Sequence, residues 1–157
     1  MQTKAQLIAS AASIASSLGL SPSIVCAMVE HESSWNPFAI RYEPKFFTNY
    51  TQPLWTRGLV KSITEAQARA FSWGLMQVMG QVAREMGFTG DLPELCDPLT
   101  GLLYGCRLFA KNLAAHSGDV SASLEAYNGG ANPNYAAEVL ALVPHYELPP
   151  APAGSST

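Results

Sequence analysis

Residues 97–113, DPLTGLLYGCRLFAKNL, carry apolar side chains at Leu99, Leu102, Leu103, Cys106, Phe109 and Leu113. This i, i+3, i+4 recurrence gathers them on one face of an α-helix, whereas a strand would need strict alternation. Asp97-Pro98 supplies the start, a side chain that caps free N–H groups followed by proline at the first helical position. The same signals recur along the chain. Leu7, Ile8, Ile14 and Leu18 return at helical intervals, and Gly19 provides a stop. Ser21-Pro22 then opens a second helix, expected from about Pro22 to Ser33. Ser62-Ile-Thr-Glu65 reads as a capping box opening a short helix through Ala70. GLMQVMGQVAREMGF reads as a loop turning into a helix, and SASLEAYN and NYAAEVLALV supply two more around an NGGANP turn.

Residues 36–61 break the pattern. They are rich in aromatics, proline and asparagine without sustained periodicity, which predicts a strand or two or an irregular flap. A connection of that length in a compact domain is more often functional than filler. The expectation is a mainly α domain over residues 1–147, with an irregular or short β insertion around 38–61. A flexible Pro/Ala/Ser-rich tail follows at 148–157. No internal repeat is present.

Composition narrows the class. The 157 residues are 48% hydrophobic and 13% charged, enough apolar material for one real core and too little charge for a disordered chain or coiled coil. A net charge of −3 without a Lys/Arg cluster argues against nucleic acid as a partner and leaves room for an uncharged polymer such as a glycan. Cys26, Cys96 and Cys106 form no CxxC pair and have no histidine at metal-ligand spacing, so they read as buried free thiols of a protein made in a reducing compartment. The N-terminal apolar residues are interleaved with Ser and Ala, which fits a first helix and gives no convincing signal peptide. No segment is long and apolar enough to be a transmembrane segment.

The second helix ends in EHESSWNP, residues 30–37. With Ile24 at zero and about 100° per residue, Val25, Met28 and Val29 define an apolar face centred near 70°. On that wheel Glu32 falls near 80°, Glu30 near 240° and His31 near 340°. The phase therefore turns Glu32 inward, leaves Glu30 as a solvated charge and sets His31 at the margin, packed at the edge of the face or capping a carbonyl. A carboxyl on a buried stripe resists ionisation, and a neutral acid beside a cleft is what a general acid requires. The alternative is a terminal glutamate bent outward to water or paired with an arginine.

Three further segments bear on that choice: Ser72 to Val78 (SWGLMQV), Ala126-Tyr127-Asn128-Gly129-Gly130, and the tyrosine-bearing YAAEVLALVPHY, residues 135–146. Together with Glu32-Ser33-Ser34-Trp35-Asn36-Pro37, in this order and spacing, they resemble the catalytic domain of soluble lytic transglycosylases, related to goose-type lysozyme. The likeness covers about residues 5–146. It implies a lysozyme-like (SLT) α fold, with a cleft for the glycan strands of peptidoglycan.

In that resemblance Glu32 is the single catalytic acid/base. It protonates the bond between N-acetylmuramic acid and N-acetylglucosamine, then accepts the proton of the muramic C6 hydroxyl to give a 1,6-anhydro end. The substrate's own N-acetyl group assists, and no metal or organic cofactor is needed. Ser33, Met76, Gln77, Tyr127 and Asn128 carry over as substrate-binding positions. Gln77 would offer a donor and an acceptor to an N-acetyl amide, and Met76 an apolar wall. Tyr127 would hold Glu32, and Asn128 would bind sugar or fix the turn. Ser33 would either meet the substrate or cap the helix, and plain core packing is the alternative for Met76 and Tyr127.

The insertion departs from the simplest family pattern. Arg41, Tyr42, Glu43, Phe46, Phe47, Tyr50 and Trp55 suit a glycan-binding flap or a private mini-core. Glu43, assigned to the substrate site, is a candidate second carboxylate that would activate water and make the enzyme a hydrolytic muramidase. Asp97 is the weaker candidate, and pairing of Glu43 with Arg41 or Lys45 is the alternative. A reading from another class is a non-catalytic glycan-binding or virion structural module. Compactness, free cysteines and the lack of a convincing signal peptide fit a phage lysin or virion-associated wall-degrading enzyme. A bacterial enzyme clipped from a larger precursor would read the same. A monomer is expected, made in the cytoplasm and acting on the cell wall from the periplasm or a virion.

Overall fold

The computed structural model describes residues 2–147. Helix α1, Lys4–Ser17, opens on a reciprocal capping box. The Thr3 hydroxyl accepts from the Gln6 N–H, and the Gln6 side chain accepts from the Thr3 N–H. Its buried face, Leu7, Ala11 and Ala15, joins the core, as expected of a first helix. Helix α2, Pro22–Ser33, has the bounds read from the sequence and buries an unbroken run from Val25 to Val29. It ends abruptly because Ser34 and Trp35 both take left-handed backbone angles, φ 50° and 66°.

The 36–61 stretch supplies one exposed edge strand, β1 (Ile40–Tyr42), and then turns helical. Helix α3 (Pro44–Phe46), a π-helical turn (Phe47–Thr51) and α4 (Gln52–Thr56) follow in succession. The prolines that speak against helix in the sequence, Pro44 and Pro53, lie in the first turns of α3 and α4, where no intrahelical N–H is required. Helix α5, Ile63–Ala68, forms on half of the expected capping box. Ser62 Oγ accepts from the Glu65 N–H at 3.0 Å, but the Glu65 carboxylate goes to Arg69 and Arg84 instead of back to Ser62.

The expected loop before the next helix is a hairpin. Strands β2 (Phe71–Trp73) and β3 (Val78–Met79) flank a four-residue turn, Gly74-Leu75-Met76-Gln77, and β1 completes an antiparallel sheet of order β1-β2-β3. Strands of two and three residues are too short for alternation to register in the sequence. Helix α6 (Gly80–Glu85) and a 3₁₀ turn (Leu92–Cys96) lead to α7, Pro98–Ala115, with Asp97 Oδ1 accepting from the Thr100 N–H at 3.0 Å. Leu102, Cys106 and Phe109 of its stripe are buried, whereas Leu99, in the first turn, remains 53% exposed. Helices α8 (Val120–Asn128) and α9 (Tyr135–Leu142) and a last 3₁₀ turn (Val143–Tyr146) close the described chain. Helix α9 packs on both α2 and α8, which brings its first residue to the end of α2. The mainly α, lysozyme-like class with a small β insertion stands, and the expected tail at 148–157 lies outside the described residues.

Candidate functional site

Glu32 sits in the last turn of α2, half-buried, as the helical phase requires. The Tyr135 hydroxyl, from the start of α9, donates to Glu32 Oε1 at 2.6 Å. Burial raises the proton affinity of Glu32 above the ordinary carboxylate range. The Tyr135 hydrogen bond and the charges of His31 and Arg41 pull the other way without cancelling it. Tyr135 is 1% exposed, and burial together with the Glu32 charge holds its own proton firmly. Glu32 can therefore carry a proton at the pH where exposed carboxylates have lost theirs, and its anion still has a fixed donor. Such a group can give up a proton and take one back.

The hairpin turn forms a rigid frame beside this acid. Gly74 has φ +70°, and a Cβ there would fall 2.2 Å from the Leu95 carbonyl oxygen, so only glycine fits. Gln77 also takes a positive φ, 47°, and its side chain holds the turn in place. Its Nε2 donates to the Ala39 and Gly74 carbonyls at 3.0 and 2.9 Å, and its Oε1 accepts from Ser72 Oγ at 2.9 Å. Both amide hydrogens are thus engaged within the protein, contrary to the expected donor role toward a ligand. Met76 is likewise no cleft wall. It is 0% exposed and packs on Gly105, with its Sδ 3.9 Å from Cys106 Sγ, because the turn folds inward onto α7.

The remaining expected positions also build this frame. The Tyr127 hydroxyl donates to the Met76 carbonyl at 2.7 Å, so the bond to Glu32 expected of Tyr127 is made by Tyr135. Ser33 Oγ lies 2.9 Å from the Leu75 carbonyl and 3.1 Å from that of Val29, tying the end of α2 to the turn. Asn128 Oδ1 accepts from the Asn132 N–H at 2.6 Å and fixes the loop between α8 and α9.

The two candidate second carboxylates are engaged elsewhere. Glu43 lies 2.5 Å from Arg41 Nε, and Arg41 is the insertion charge that acts on Glu32. Asp97 Oδ1 accepts from both the N–H and the hydroxyl of Thr100, each at 3.0 Å. The aromatics of the insertion divide. Phe38 and Tyr42 are exposed near β1, while Phe46 and Tyr50 stack at 4.8 Å and line a separate concavity of about 460 Å³ with Pro53, Leu54 and Arg57.

Glu30 is not the solvated charge that its helical phase suggests. It accepts from the Tyr146 hydroxyl and pairs with Lys4 at 3.7 Å, while Tyr146 in turn accepts from Trp35 Nε1 at 2.8 Å. Cys26 and Cys106 are buried and Cys96 is half-buried, all unpaired, and burial pushes the Cys26 thiol up to about 11. Tyr135 opens the tyrosine-bearing segment of the resemblance but was assigned no role in the site, although a signal was present. It shares the buried stripe of α9 with Val139, four residues on, and a buried tyrosine hydroxyl needs a partner.

Among the described residues no three His, Cys, Asp or Glu side chains converge to hold a metal, and no helix is long and apolar enough to cross a membrane. Comparison with curated proteins and with solved structures gives no match. Residues 10–139, from the middle of α1 to the buried Val139 of α9, match the family model described as the transglycosylase SLT domain. The chain belongs to this family, whose domains are of lytic transglycosylase type and act on peptidoglycan.

Proposed function

We propose that the protein cleaves the β-1,4 bond between N-acetylmuramic acid and N-acetylglucosamine, with Glu32 as sole general acid and base and a 1,6-anhydro-muramic end as product. The observation that carries this reading is the half-buried Glu32 with Tyr135 bonded to one of its oxygens, while Glu43 and Asp97 are occupied elsewhere. Tyr135 engages Oε1, which leaves Oε2 to carry the transferable proton. That proton passes to the glycosidic oxygen as the C1–O bond breaks and N-acetylglucosamine departs. The substrate's N-acetyl oxygen shares the positive charge developing at C1, a substrate-assisted route that needs no second carboxylate. The muramic C6 hydroxyl then attacks C1 and its proton returns to Glu32. Arg41 and Tyr135 favour the carboxylate between the two transfers.

Ser33, Met76, Gln77, Tyr127 and Asn128 serve this reaction as the frame that fixes Glu32 and its surroundings. Exposed Phe38 and Tyr42, with Arg41 between them, offer faces and a donor to the sugar rings. Digestion of purified cell-wall glycan followed by mass spectrometry of the new ends is the test. Anhydro-muramic ends are expected, and Glu32→Gln should lower the rate by about 10²–10⁴-fold. Reducing ends would instead identify a hydrolytic muramidase. A wild-type protein that binds walls on a zymogram without clearing them would identify a non-catalytic module.

A further inference from the structure

His31, next to Glu32, projects about 100° around α2 and is caught between elements. Its Nε2 lies 2.9 Å from Oε2 of Glu138 on α9, and Asn132 Nδ2 donates to the same oxygen at 2.8 Å. The edge of its ring meets Tyr135, with centroids 4.9 Å apart and planes at 78°. Tyr135 is the residue whose hydroxyl is bonded to Glu32. The other ring nitrogen, Nδ1, is buried with no partner among the described residues. The ring is thus fixed in place between α2 and α9.

We propose that His31 and Glu138 form a positioning pair: Glu138 holds the imidazole against Tyr135, which sets the ring and its charge beside the Glu32 carboxyl. The functional consequence rests on Glu32 being the acid of the proposed reaction. The other charged or titratable groups facing this cluster are Arg41 from β1, Tyr127 from α8 and Tyr135 from α9. Lys4 from α1 and Tyr146 from the last 3₁₀ turn are directed to Glu30 instead. A cationic His31 favours the Glu32 carboxylate, and the same ring, with Asn132, holds the Glu138 carboxyl below its usual range.

The test compares wild type with His31→Gln, which keeps a donor for Glu138 but no charge, and His31→Lys, whose charge is permanent. Protein labelled with ¹³C at the glutamate carboxyls reports each titration directly, with Glu32→Gln and Glu138→Gln identifying the two signals. The Glu32 midpoint should rise in His31→Gln and lie lower in His31→Lys, the two differing by about half a pH unit or more. The Glu138 midpoint should stay below the ordinary carboxylate range in His31→Gln, whose amide keeps the hydrogen bond alongside that of Asn132. On cell-wall substrate, the alkaline limb of kcat/KM should follow the Glu32 midpoint while KM stays constant. Coincident Glu32 midpoints in all three proteins would overturn the pair. Midpoints that separate without moving the alkaline limb would uphold the pair and remove Glu32 as the acid, so the two failures are distinct. His31→Gln decides the matter alone if His31→Lys does not fold.

Discussion

Glu32 opposes folding through the same burial that makes it useful as an acid. Its folded-state proton affinity lies above the ordinary carboxylate range, which the unfolded chain retains at about 4.3. Between those two values the folded protein binds more protons than the unfolded one. Stability therefore falls as pH rises through that window, and the loss is complete at pH values above it. Glu32→Gln keeps an acceptor for the Tyr135 hydroxyl and removes the ionisation. The variant should melt above wild type at pH 7, and the gap should close as pH drops below about 4. Thermal melts at the two pH values check this, and an equal gap at both would contradict the burial argument. The helical phase of EHES located this residue because inward orientation is a local property of the backbone. Tyr135, separated from it by 103 positions, was not legible as its partner, since that contact depends on how α9 lies across α2.

Among the elements, the β2–β3 hairpin depends most on what lies beneath it. Gly105 of α7 faces the Met76 side chain so closely that an added Cβ would sit 2.4 Å from Sδ and 2.6 Å from Met76 Cβ. Gly105→Ala should therefore cost about 1–3 kcal/mol by overpacking. It should also lower activity in the protein that remains folded, because the displaced Met76 carbonyl holds Tyr127. Urea unfolding read alongside turnover separates the two effects, and an unchanged midpoint would show that the hairpin floats free of α7. The helices themselves were plain in the sequence, α2 to the residue and α7 from its Asp97-Pro98 start, because caps and i, i+3, i+4 spacing act within a single turn. The hairpin was hidden because its strands are short and its glycine and glutamine are explained only by Leu95, Ala39 and Ser72.

At the scale of the molecule, three separated parts of the chain meet at the end of α2. Lys4 of α1, Glu30 at the end of α2, Trp35 after it and Tyr146 of the last 3₁₀ turn form one connected network. Tyr146 is its hub, giving its hydrogen to Glu30 and accepting that of the Trp35 indole. Tyr146→Phe leaves the Nε1 of Trp35, a residue 5% exposed, without its acceptor. That should cost about 1–3 kcal/mol in denaturant unfolding, and Tyr146→Phe should unfold at lower urea than wild type with the same m-value. A variant as stable as wild type would reduce the network to incidental contact.

The sequence by itself determined that the chain is mainly helical, where its principal helices begin, and that Glu32, not Glu30, faces inward. Each follows from interactions spanning four or five residues. Only the tertiary structure decided that Tyr135 bonds Glu32, that Gln77 and Met76 frame the site, that Arg41 claims Glu43, and that Glu30 is held by Tyr146. Those outcomes depend on the angles at which whole elements pack, and no local pattern of residues encodes an interelement angle by itself.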